Sequence, residues 1–94
     1  MIRLAAVLAL MAGPVAAQTI PRCASHADMT RILFMGYGEV SISRATDQFN
    51  FMVEMFVNVE TGTWSFTITA PGGPTCIARD GKNYEAAPPS GELL

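Results

Sequence analysis

The spacing of apolar residues along the chain changes once. From His26 to Leu33 the apolar positions Met29, Ile32 and Leu33 recur at helical intervals, whereas from Val40 onward apolar and polar residues alternate. The first segment predicts a helix. Ser25 stands three residues before Asp28, a pattern that caps a helix start and places a carboxylate near its positive end, and Gly36 supplies the usual stop. The apolar stripe has to cover another surface. The second segment predicts an antiparallel meander of short strands. Residues 40–44 form a weak strand, Asp47 and Asn50 bracket a turn, and residues 51–59 (FMVEMFVNV) carry the strongest strand pattern. A turn at 60–62, a strand at 63–70 (TWSFTITA), the turn PGGP and a last strand at 75–80 complete the order.

Side-chain faces fix the pairing, because a slip of one residue turns a strand over. A hairpin tip at Thr61 and Gly62 sets Val59 opposite Trp64, Val57 opposite Phe66 and Met55 opposite Ile68, so the large apolar residues share one face. The slipped alternative would set Trp64 against Asn58 and Ile68 against Glu54. A loop of Pro71, Gly72 and Gly73 then brings Cys76 opposite Ile68. The helix is expected on this apolar face. The outer face carries Met52, Glu54, Phe56 and Asn58 beside Ser65, Thr67, Thr69 and Ile77, a threonine field with apolar points. High β propensity alone accounts for such residues. A functional reading makes Met52, Phe56, Thr67, Thr69 and Ile77 the contact surface for a protein partner or for a second copy of the chain.

Residues 1–17 have the layout of an exported leader. Arg3 gives a positive start, residues 4–12 are unbroken apolar, Gly13 and Pro14 break a helix, and Val15 and Ala17 put small residues where a signal peptidase reads. Cleavage before Gln18 is expected. The apolar run falls short of the roughly twenty residues that span a bilayer, and Arg22 before Cys23 stands where a lipid-attachment site wants a small residue. The expected organisation is a signal peptide at 1–17, one domain at 18–85 and a disordered tail at 86–94, rich in Pro and Gly and with no pattern able to bury surface. The destination is the periplasm or the extracellular space.

Without the leader, five basic side chains stand against eight acidic ones. A mildly acidic domain with no clustered Lys and Arg has no electrostatic footprint for nucleic acid or for an anionic membrane, and neither is an expected partner of the mature form. In an oxidising compartment two cysteines form one disulfide by default. A redox pair wants a short CxxC, and zinc wants four ligands where Cys23, His26 and Cys76 would make three. No metal or cofactor is expected. Bridging Cys23 to Cys76 closes a loop of more than fifty residues and adds roughly 4 kcal/mol in the chain-entropy model. That matters for a chain whose core alone gives only a few kcal/mol. The expected fold is therefore α+β: one N-terminal helix packed on one face of a small antiparallel β-meander of three to four strands, with the disulfide tying the helix start to the last strand.

The stretches YGE at 37–39, VEMF at 53–56 and ETGTW at 60–64, with a cysteine followed by a small-residue strand, resemble a family of small exported bacterial proteins known mainly as uncharacterised. The resemblance runs from Cys23 to about Tyr84, and ETGTW is its most specific part. PGGP stands where the family more often has a Pro-Asp-Gly-like turn, and Asp80 replaces a smaller residue before Gly81. The resemblance implies secretion, a disulfide and a helix-then-sheet order, and it brings no activity and no catalytic residues. Two classes of function fit. One is a non-enzymatic interaction module of the cell exterior. The other is a small ligand-binding protein or hydrolase of the cell envelope, which needs grouped polar residues, whereas Glu39, Glu54 and His26 fall on separate predicted elements. His26 and Asp28, in the first helical turn, are read as solvated residues that serve the cap.

Overall fold

A computed structural model gives the structure of the protein and describes residues 20–88. The expected leader at 1–17 and residues 89–94 of the expected tail lie outside the described residues. Residues 86–88 take no regular secondary structure. The chain runs β1 (Cys23–Ala24), α1 (His26–Tyr37), β2 (Val40–Thr46), β3 (Met52–Val57), β4 (Trp64–Thr69) and β5 (Thr75–Gly81). The strands form one antiparallel sheet in the order β1-β5-β4-β3-β2. The architecture is α+β with a Cys23–Cys76 disulfide. Two points differ from the expectation: the helix follows a strand instead of opening the domain, and the sheet has five strands instead of three or four. A two-residue strand has no period to read, so β1 left no trace in the sequence.

Local chemistry sets the helix ends. Ser25 is the N-cap, its Oγ accepting from the Asp28 N–H at 3.1 Å. The stop is Gly38, not Gly36. Gly38 takes the left-handed conformation at φ 68°, and the N–H groups of Gly38 and Glu39 bond back to Phe34 and Leu33. A Cβ there would also lie 2.7 Å from Asn58 Nδ2, which donates to the Tyr37 carbonyl at 2.9 Å. Gly36 stays helical and leaves room for Ile20, whose Cδ1 would stand 3.1 Å from an added Cβ.

The turn between β3 and β4 is longer than expected. Asn58 Oδ1 accepts from the N–H groups of Glu60 and Thr61, and its own N–H bonds to the Thr63 carbonyl. This side chain competes with the ladder and stops it early. Val57 pairs with Trp64, Met55 with Phe66 and Val53 with Ile68, two residues away from the expected register. A shift of two keeps each residue on its face. The next hairpin is as expected, with Cys76 opposite Ile68.

The side of the sheet that the helix covers is the reverse of the expectation. Met29 and Leu33 of α1 pack on Phe56 and Ile77, and all four are buried, with Ile20 and Ala24 against them. Side chains alternate along each strand, so Cys76 and Ile68 lie on the opposite face from Ile77. The bridge sits there too, on the face away from α1. β1 explains the reversal. Cys23 pairs directly with Cys76 at the sheet edge, the Ile77 N–H bonds to the Arg22 carbonyl at 2.7 Å, and Ala24 then points to the other side, from which the chain enters the helix.

If the bridge holds β1 and the helix start on β5, Cys23→Ala and Cys76→Ala each lose about 4 kcal/mol, and the double variant loses no more than either single one. Thermal or denaturant unfolding of the three variants, with and without reductant, checks this; additive losses would contradict it.

Candidate functional site

The five residues expected as an outer contact surface lie on the helix side of the sheet. Phe56, Thr67 and Ile77 are buried there, and Met52 and Thr69 are half-buried. Phe56 and Ile77 are floor to α1 and not an open surface. Apolar count favours the other face for the helix, but the pairing of β1 with β5 delivers the chain to this one. The polar members under the helix are instead satisfied locally: Thr69 and Thr75 share a hydroxyl bond at 2.7 Å, and Thr67 Oγ1 reaches the Glu54 carbonyl.

The opposite face carries Val53, Met55, Phe66 and Ile68, all half-buried, with Val57 buried among them. No element among the described residues covers it. Ser43, Ala45, Val53, Met55 and Phe66 line a groove of about 230 Å³ on it. β2, at the sheet edge, is exposed throughout and adds Val40 and Ile42, so the apolar character reaches the edge.

Two carboxylates lie on the helix side, in opposite circumstances. Glu54, 2% exposed, is fully engaged. Its Oε1 meets His26 Nε2 at 2.8 Å, its Oε2 accepts from Ser41 Oγ at 2.6 Å, and Arg44 Nε lies 3.8 Å away. The network joins the first turn of α1 to β2 and β3, so His26 does more than serve the cap. Its geometry does not suit acyl transfer. The Ser41 hydroxyl gives its proton to the carboxylate and has no contact with the imidazole, so the order needed to activate a serine is missing. The three groups make a structural clamp, since a buried carboxylate persists only when paired.

Glu39, 1% exposed, has no ion pair among the described residues. The Gly38 turn swings it inward, and its Oε1 and the Ser65 Oγ have no hydrogen-bond partner. Burial pushes its carboxyl above the ordinary value and Asp80 adds to the rise, while the Ser65 and Thr63 hydroxyls draw it back. Together with Tyr37, Trp64, Ser65, Asp80 and Lys82 it lines a cleft of about 240 Å³. Trp64 is held in place there, its Nε1 donating to the Lys82 carbonyl at 3.1 Å and its ring lying against Gly81, where a Cβ would come within 3.0 Å.

Among the described residues no group of three or more His, Cys, Asp or Glu side chains is placed to hold a metal ion. No protein-family model, curated protein or solved structure matches the chain. The resemblance to small exported proteins thus rests on the quoted residues alone. Glu39, Glu54 and His26 stand out in the sequence as polar candidates on separate elements; the structure brings His26 onto Glu54 and sets Glu39 apart at the cleft. The one available signal was a glutamate directly after a helix-ending glycine, and another in the middle of the strongest strand.

The Glu39 carboxyl sets a pH dependence. Its folded value is raised, so the stability it contributes is complete below the unfolded value of 4.5 and is lost as pH rises through the folded value. Glu39→Gln removes this loss. The variant is expected to melt higher than wild type at neutral pH, and the difference closes towards pH 4.5; an equal or lower Tm for the variant at neutral pH would contradict the assignment.

Proposed function

We propose that the protein is an exported, non-enzymatic interaction module, acting in the periplasm or outside the cell, whose contact surface is the sheet face that α1 leaves uncovered. The observation that supports this reading is the groove lined by Val53, Met55 and Phe66, with Ile68 on the same face and no described element over them. A domain this small gains from burying such side chains, and leaving them open makes sense where a partner covers them. The disulfide suits an oxidising compartment. Among the described residues no helix is long and apolar enough to cross a membrane. The bonding of Ser41 to Glu54 in place of His26 weighs against the hydrolase alternative.

The oxidised chain beginning at Gln18 is the material for the test, and protein recovered from the cell exterior should itself begin at that residue or beside it. Phe66→Asp places a charge in the groove without touching the core under α1. Sedimentation and capture from envelope extract, run on both proteins, are expected to show a stoichiometric protein partner or self-association for wild type. The variant should lose it by roughly tenfold or more with its Tm close to that of wild type. Equal binding by the variant would move the contact surface elsewhere, and an intact Met1 terminus in a membrane fraction would reject export.

A further inference from the structure

The cleft at the helix C-terminal end of the sheet is chemically unlike the open face, and it lies among different residues. Its floor holds two buried polar atoms with no partner, Glu39 Oε1 and Ser65 Oγ. Buried polar atoms in folded proteins are nearly all hydrogen-bonded; the Ser65 and Thr63 hydroxyls are the chain's own donors beside the Glu39 carboxyl, yet neither Glu39 Oε1 nor Ser65 Oγ has a partner at bonding distance among the described residues, which leaves a place for a donor from outside the chain. Two carboxyl groups, Glu39 and Asp80, stand there beside Lys82, and Asp80 is already within 3.7 Å of the Arg22 guanidinium, so the carboxyl left without an ion pair is the buried one, Glu39. Tyr37 and Trp64 add aromatic rings, and the Trp64 ring is already fixed by its bond to the Lys82 carbonyl and its seat on Gly81. Rings beside carboxylates suit an organic cation. The volume of about 240 Å³ is below the usual range for drug-sized ligands, and so sets a small one.

We propose that this cleft binds a primary alkylammonium group, with Glu39 and Ser65 accepting its N–H protons and the alkyl stem running out along the cleft past Tyr37 and Trp64. The group comes either from a free aliphatic amine or from a lysine side chain of another protein. The proposal does not rest on the open-face reading: the residues differ, and either can fail alone. Binding carries a proton linkage. A cation favours ionised Glu39, whereas burial shifts its carboxyl towards the protonated form, so binding is linked to proton release and tightens as pH rises through the raised value. Tyr37, Asp80 and Lys82 are the other titratable groups lining the cleft, with the Arg22 guanidinium on Asp80; β4 contributes only neutral side chains to it.

Trp64 is the one tryptophan of the chain, so its fluorescence reports on this cleft. The experiment titrates the oxidised chain from Gln18 with n-butylammonium, with butanol and butyrate as controls of similar size, at several pH values. A saturable Trp64 response to n-butylammonium alone, stronger at higher pH, is expected. Glu39→Gln should weaken it by roughly tenfold or more, as loss of a bond to a charged group does, and should remove the pH dependence while the melting transition is retained. Ser65→Ala should weaken it less. Tighter binding of Nα-acetyl-lysine amide than of n-butylammonium assigns the cleft to a partner's lysine, and the reverse assigns it to a free amine. Equal responses to butanol or butyrate, no saturable response, or an unaffected Glu39→Gln variant would overturn the proposal.

Discussion

The Cys23–Cys76 bridge lies on the sheet face away from α1, yet it is what holds α1 against the sheet, because Ser25 caps the helix two residues after Cys23. A helix of twelve residues is marginal alone in water. The apolar core beneath it consists of Met29, Leu33, Phe56 and Ile77, too few side chains to order a chain of this length unaided. By joining residues 53 apart in sequence, the bridge restricts the unfolded chain and delivers the helix start to β5 at once. The Arg22–Asp80 ion pair beside it, at 3.7 Å and with both side chains largely exposed, adds little.

Given that anchor, the two glutamates on the helix side divide the work of the domain. Glu54 answers to His26 from the helix and to Ser41 and Arg44 from β2, and so fastens three elements around one buried charge. Glu39 occupies a comparable depth without an ion pair among the described residues, its Oε1 lacking a hydrogen-bond partner. Leaving a buried carboxyl unpaired costs stability, about 1–3 kcal/mol for a typical polar group. A fold with so small a core tolerates that at a site of use more readily than elsewhere, since unmet polar groups collect where ligands bind.

Much of the fold was legible where local pattern decides. Ser25 as cap, the turn held by Asp47, the Pro71–Gly73 loop and the pairing of Cys76 with Ile68 each follow from residues adjacent in sequence. The grouping of Val53, Met55 and Val57 with Trp64, Phe66 and Ile68 followed as well, since alternation survives a register shift of two. What pattern alone did not carry was the side on which the helix lies. That side is set by β1, two residues long, whose pairing with β5 reverses the choice that apolar count favours. The contact surface assigned to Met52, Phe56, Thr67, Thr69 and Ile77 fell with it. His26 and Glu54 meet across 28 positions and Glu39 meets Ser65 through a cap geometry, and neither meeting has a local signature.

The one-sided cover is the claim on which both the open face and the Glu39 cleft depend, because each is defined by where α1 lies. Side-chain NOEs in the oxidised chain from Gln18 read it directly. The methyl groups of Leu33 are expected to show contacts to the Phe56 ring and the Ile77 methyls, and none to Phe66 or Ile68. Contacts from Leu33 to Phe66 and Ile68 would place the helix on the other face and contradict the account.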